Sequence, residues 1–166
     1  MSKVISIDYE KCVGCRTCMQ VCSTRQTGAF NQLYSSIETI RRNLGLENFP
    51  IVCQQCTPAA CSAICPVKAI SRDDLLGRMQ INYTRCIGCR MCVAVCPFGA
   101  MNFNVMSNKV FKCDLCDGDP LCVRFCQHDA LDYVDAIEQS TLKRAETAEK
   151  ISGIMHKIAS AMASAE

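Results

Sequence analysis

Apolar and polar positions alternate over residues 4–8 and again over 79–82, which predicts two short strands, each running into a turn-rich loop. Between Cys65 and Cys86 the stretch AISRDDLLGRMQINYTR reads as strand, turn at 73–77, strand. From residue 135 the pattern changes: Asp135 with Glu138 three on resembles a capping box, and Ile151, Met155, Ile158 and Met162 recur at alternating gaps of four and three. This predicts one long helix over 136–166, extending on the order of 45 Å. Gly153, Ala159, Ser160 and Ala163 beside the stripe permit close approach of another helix, so the segment is expected to mediate assembly, onto a catalytic subunit or between copies in a head-to-tail filament. No apolar run approaches the roughly twenty residues of a membrane span.

The pattern also repeats. ISIDYEKCVGCRTCMQVC, from Ile5, matches MQINYTRCIGCRMCVAVC, from Met79, position for position. A weaker match joins VCQQCTPAACSAICPVKAI, from Val52, to KCDLCDGDPLCVRFCQHDAL, from Lys112, with one residue inserted. The chain reads as a tandem duplication of a unit with one regular and one variant cysteine motif.

Sixteen cysteines fall into four groups of four: Cys12, Cys15, Cys18, Cys22; Cys53, Cys56, Cys61, Cys65; Cys86, Cys89, Cys92, Cys96; and Cys113, Cys116, Cys122, Cys126. The first and third read CxxCxxCxxxC, in which three close thiolates hold one iron-sulfur cube and the fourth reaches a different one. The second and fourth have a longer middle gap, with a short helical turn expected to end at the last cysteine of each group. Four [4Fe-4S] clusters account for all sixteen thiolates and leave no open iron site for a substrate.

Two other uses of so much cysteine are disfavoured. A disulfide framework belongs to oxidising compartments, and the start MSKVISIDYEK has neither an apolar signal segment nor a twin-arginine pair, so the chain is expected in the reducing cytoplasm. Structural zinc draws two paired knuckles from separate places, whereas three cysteines here crowd one short loop.

Composition fits a carrier whose clusters replace part of the core: 166 residues, no Trp and 6% aromatics. The formal charge of +2 counts cysteines as neutral; four oxidised cubes with their thiolates add roughly minus 8, leaving about minus 6. Nucleic acid is a poor partner for such a surface. No Gly-rich phosphate loop is present, so neither NAD nor flavin is expected on this chain.

Connection length suggests which groups share cubes. The expected hairpin between Cys65 and Cys86 folds the second and third groups onto each other, leaving the first and fourth to pair across them. The expected ligand sets are Cys12, Cys15, Cys18 with Cys126; Cys53, Cys56, Cys61 with Cys96; Cys86, Cys89, Cys92 with Cys65; and Cys113, Cys116, Cys122 with Cys22. The fold class is then α+β: two bacterial-type ferredoxin folds, one inserted into the other, plus the long C-terminal helix. The outer unit spans 1–49 and 106–135, the inserted one 50–105 and the assembly helix 136–166, with the cubes in a row.

With these motifs, residues 1–135 resemble the four-cluster iron-sulfur subunits that serve molybdenum and tungsten pterin oxidoreductases, a family that includes the electron-transfer subunits of dimethyl sulfoxide reductase and formate dehydrogenase. The resemblance implies a non-catalytic electron-transfer subunit partnered by a molybdenum or tungsten pterin subunit, with a flavin/NAD subunit as a further partner. In kind it is nearest the small subunits of tungsten aldehyde oxidoreductases, followed by those of formate dehydrogenases, hydrogen-dependent carbon dioxide reductases and benzoyl-coenzyme A reductases. A free soluble polyferredoxin is the competing expectation. Some members replace one cysteine of the third group and hold a three-iron cluster; here all four are present.

Pro66 and Pro97 follow the last cysteines of groups two and three, as in ordinary bacterial ferredoxins, whereas Ser23 and Gln127 stand in those places in groups one and four. The two substitutions restore an amide donor near sulfur. Arg16, Arg90, Lys11, Arg85 and Lys112 are available to offset cluster charge, although solvated surface charge explains most such residues. Tyr9 and Tyr83 are expected to pack, and His128 and His156 to be ordinary surface or packed residues.

Overall fold

The computed structural model describes residues 2–163, with the side chains of 138, 142, 143, 145–147, 150, 156 and 158–163 left outside the description. Among the described residues eight short strands pair into four two-stranded antiparallel sheets, accompanied by five α-helices and three short 3-10 turns, an α+β architecture. In chain order these are β1 (Lys3–Ile7), α1 (Thr17–Thr27), β2 (Ile37–Arg42), β3 (Glu47–Val52), α2 (Ala60–Ala63), β4 (Ile70–Arg72), β5 (Met79–Ile81), α3 (Met91–Val95), β6 (Met101–Asn104), β7 (Lys109–Lys112), α4 (Leu121–Arg124), β8 (Leu131–Asp135) and α5 (Ala136–Ala163).

Three sheets are local hairpins: β2–β3, β4–β5 and β6–β7. The fourth joins the two ends of the cysteine-bearing chain, with β1 against β8 from Lys3↔Asp135 to Ile7↔Leu131. Two apolar cores result. Ile5, Ile7, Ile37, Val52, Leu115 and Leu131 form one, with Cys113 and Cys122 among its buried members. Ile70, Met79, Met101 and Val110 form the other, with Cys92. Each core is thin, and cysteines of the motifs complete it. The helices follow the same division, α1 packing on α4 and α2 on α3.

The expected divisions at 49/50 and 105/106 both fall inside hairpins: the first cuts β3, and the second separates β6 from β7. Each hairpin stays whole because it serves one core, β2–β3 through Ile37 and Val52 and β6–β7 through Met101 and Val110. Pro50 sits within β3 opposite Thr39; a two-stranded sheet tolerates its missing amide hydrogen because each strand has a free edge.

Helix α5 begins with Asp135 Oδ1 accepting from the Ile137 amide at 2.9 Å, an N-cap for the helix dipole. Of the expected stripe, Ile151 and Met155 are exposed, as is Ile154 beside them. The side chains of Ile158 and Met162, the Glu138 arm of the capping box, and His156 lie outside the described residues. No described helix is long and apolar enough to cross a membrane.

Candidate metal centre

Each cysteine loop turns through left-handed backbone. In the two regular loops the same places are used, Gly14 (φ 69°) and Arg16 (φ 65°) in the first, Gly88 (φ 70°) and Arg90 (φ 63°) in the third. In the variants the turn falls at Gln55 (φ 50°) and at Leu115, Cys116 and Asp117 (φ 57°, 50° and 59°). Non-glycine residues with positive φ are strained, and they cluster here because the loops must wrap around something. Reversals between right- and left-handed backbone also gather amide N–H groups into concavities suited to an anion.

Sulfur atoms receive those amides. Ala69 N donates to Cys65 Sγ at 3.2 Å and Ala130 N to Cys126 Sγ at 3.3 Å, the same four-residue offset after the last cysteine of each variant group. Leu115 N donates to Cys113 Sγ at 3.4 Å. Cys22 Sγ accepts from Ser36 N at 3.3 Å and from Gln26 Nε2 at 3.5 Å. The donors at Cys22 are therefore not supplied by Ser23, which is fully buried inside α1 and donates its hydroxyl to Gln20 O. Proline is absent there because α1 continues past Cys22 to Thr27, and an interior proline would break it.

Three cavities lie among the loops. One is lined by Cys22, Cys113, Cys116 and Cys122; one by Cys53, Cys56, Cys61 and Cys96; one by Cys12, Cys15, Cys18 and Cys126. Each takes three cysteines from one group and one from another. Cys65, Cys86, Cys89 and Cys92 line none of these three. Of them, Cys86 and Cys89 are electrostatic neighbours of Cys92, and Cys92 stands on α3, which packs against α2 just ahead of Cys65. All sixteen thiols are free of disulfides, and only Cys15 and Cys89, at equivalent places in the repeat, are exposed.

Residues 44–136 match the model of the 4Fe-4S dicluster domain, and residues 4–30 that of a 4Fe-4S binding domain. The chain belongs to the 4Fe-4S dicluster family. This ferredoxin-like chain is 37% identical over 176 aligned residues to the electron transport protein HydN of Escherichia coli (strain K12), covering 89% of this chain and 98% of HydN. It is 37% identical over 133 residues to the polyferredoxin-like subunit of the aliphatic sulfonate oxidoreductase of Pyrococcus furiosus, covering 78% of this chain and 76% of that subunit. A solved active-site complex of benzoyl coenzyme A reductase, BamBC, contains a chain 27% identical, with a TM-score of 0.47 and coverage of 80% and 76%.

The donor chemistry of the dicluster chain fits [4Fe-4S] clusters. Burial pushes the Cys113 thiol up to about 12 and that of Cys92 to about 11, and raises Cys122 further still. Such thiolates are costly in an empty site, and an iron core supplies the positive charge that makes them favourable.

The other expected contributors divide. Lys11 pairs with Asp8 at 3.3 Å at the surface, and Arg90 stacks on the Phe103 ring at 3.7 Å. Tyr9 packs on Phe49, with ring centroids 5.7 Å apart, and Tyr83 lies under Lys109. His128 is exposed and borders the cavity of Cys12, Cys15, Cys18 and Cys126. Of Gln55, Arg72 and Arg78, none of them singled out by the sequence, Gln55 joins the second and fourth cysteine loops, while the two arginines tie the β4–β5 hairpin to one loop each. Arg72 Nη2 donates to Gln55 O at 3.0 Å and to Cys56 O at 2.6 Å. Arg78 Nη1 donates to Asp114 O at 2.6 Å and pairs with Asp117 at 2.7 Å.

Proposed function

We propose that this chain is the electron-transfer subunit of an oxidoreductase complex and holds four [4Fe-4S] clusters on the sets Cys12, Cys15, Cys18, Cys126; Cys22, Cys113, Cys116, Cys122; Cys53, Cys56, Cys61, Cys96; and Cys65, Cys86, Cys89, Cys92. The observation that carries it is the lining of the three cavities, each by four cysteines from two groups. When bound, each cube accepts and releases one electron at a time.

The same neighbourhoods support an order for the row. Cys18 adjoins Cys122, Cys53 adjoins Cys113, and Cys61 adjoins Cys92. The sets therefore run from that of Cys12, through those of Cys113 and Cys53, to that of Cys86. Exposed Cys15 and Cys89 then belong to the two ends, where electrons enter and leave. The β1–β8 sheet and the α1–α4 contact support an outer ferredoxin unit, and β4–β5 with α2–α3 an inner one inserted into it.

No cysteine is left for substrate chemistry, so the reaction belongs to a partner. HydN is named an electron transport protein, and the Pyrococcus relative a polyferredoxin-like subunit of an oxidoreductase. Among partners, a cytoplasmic molybdenum or tungsten pterin enzyme is preferred, with tungsten aldehyde oxidoreductase first and formate dehydrogenase next, and α5 as the docking or self-association element. Native mass spectrometry of the complex purified anaerobically tests this: a catalytic subunit carrying a pterin metal is expected. A lone chain that exchanges electrons with several enzymes equally is instead a free polyferredoxin.

A further inference from the structure

Lys112 ends β7 and immediately precedes Cys113, yet it is only 7% exposed. Its Nζ donates to Cys113 O at 2.8 Å and reaches Gln55 Oε1 at 3.5 Å. Gln55, 3% exposed, lies in the loop between Cys53 and Cys56 and clamps the same junction: Nε2 donates to Cys113 O at 3.1 Å, and Oε1 accepts from Met79 N at 2.8 Å. The ammonium therefore touches the loops of two different cysteine sets. Its partners are neutral acceptors, and among the described residues no carboxylate pairs with it. Nearby Arg78 differs, being balanced by Asp73 at 3.2 Å and Asp117 at 2.7 Å. A buried charge without a counter-ion acts strongly on neighbouring groups because little water screens it.

We propose that Lys112 is a shared electrostatic positioning residue, a single positive charge between the two middle clusters that raises both of their reduction potentials together. The proposal rests on the four-cluster reading. An added electron makes a cube more negative, so a fixed cation beside it favours the reduced form, and one cation between two cubes favours both. A charge shared by both shifts them in the same direction and so leaves the electron step between them little changed.

The test is an electron-paramagnetic-resonance redox titration of the full chain carrying Lys112→Gln. Two of the four midpoints should move to more negative values while the other two stay in place, and Lys112→Arg should restore both. If that variant fails to load iron, Gln55→Glu keeps the lysine, sets a carboxylate beside Nζ and should lower the same two midpoints. Unmoved midpoints in an iron-replete variant, movement of one alone, or an equal shift of all four overturns the shared role. A wild-type protein well short of about sixteen iron defeats the four-cluster reading instead.

Discussion

Gly14 lies directly beneath Asn48: a Cβ on the glycine would stand 2.1 Å from Asn48 Oδ1, while Asn48 Nδ2 donates to Cys12 O at 3.3 Å. Hairpin β2–β3 thus presses on the first cysteine loop. Gly88 is pressed in the equivalent place by Asn108, whose backbone oxygen would be 2.5 Å from an added Cβ. Both glycines have positive φ, which costs any other residue about 1–2 kcal/mol. The obstacle differs, because a side-chain amide can rotate away and a backbone oxygen cannot. Gly88→Ala should therefore lose more iron per chain than Gly14→Ala, as measured by iron-to-protein ratio after anaerobic purification.

Cys22→Ser tests the cross-pairing of the first and fourth groups. Its sulfur lines the cavity of Cys113, Cys116 and Cys122. The cluster of that set should be disturbed or converted to a three-iron form, with the set of Cys86 intact, as resolved by electron paramagnetic resonance. Disturbance of the Cys86 set in its place would contradict the pairing.

Arg78 and Asp117 should differ in their weight on stability. The Arg78 side chain is 11% exposed and its partner Asp73 14%, so Arg78→Ala leaves buried acceptors and a carboxylate unpaired and should cost about 3 kcal/mol. Asp117 is 65% exposed, and Asp117→Asn should cost less than about 1 kcal/mol. Denaturation midpoints of the iron-replete proteins check the ranking. Hydrogen bonding from Arg78 holds the Asp117 carboxyl below its ordinary 3.8. Its contribution is present above that value and fades as pH falls below it, so Asp117→Asn should have the same effect at pH 6 and pH 8.

Removing residues 140–166 should leave the clusters formed and shrink the assembly, since the described cores and cysteine loops all precede that point. Exposed Ile151, Ile154 and Met155 are the apolar surface that such a truncation removes. Size-exclusion chromatography with light scattering checks it; complexes of unchanged mass would make the helix dispensable.

Much of this was legible in the sequence because cysteine spacing reports a metal's geometry directly. The repeat from Ile5 and Met79 reappears as equivalent backbone at Gly14 and Gly88. The β2–β3 hairpin was not legible, because Ile37 and Ile40 stand three apart rather than two, and Pro50 argues against a strand unless one knows that the sheet has a free edge. Spacing between cysteine groups likewise carries no information about which core Val110 fills. The meeting of Gln55 and Lys112 spans 57 residues, and no local pattern encodes it.

The closure of β1 on β8 also fixes an order of construction. The strand at residues 3–7 leaves the ribosome long before its partner and stays unpaired until residues 131–135 follow it. Hairpin β4–β5 needs nothing beyond its own few residues. During synthesis the local hairpins in the middle of the chain can pair while its two ends wait. A nascent chain halted before residue 131 would leave β1 unpaired and Cys12, Cys15 and Cys18 without Leu131 beside them, thiols open to oxidation.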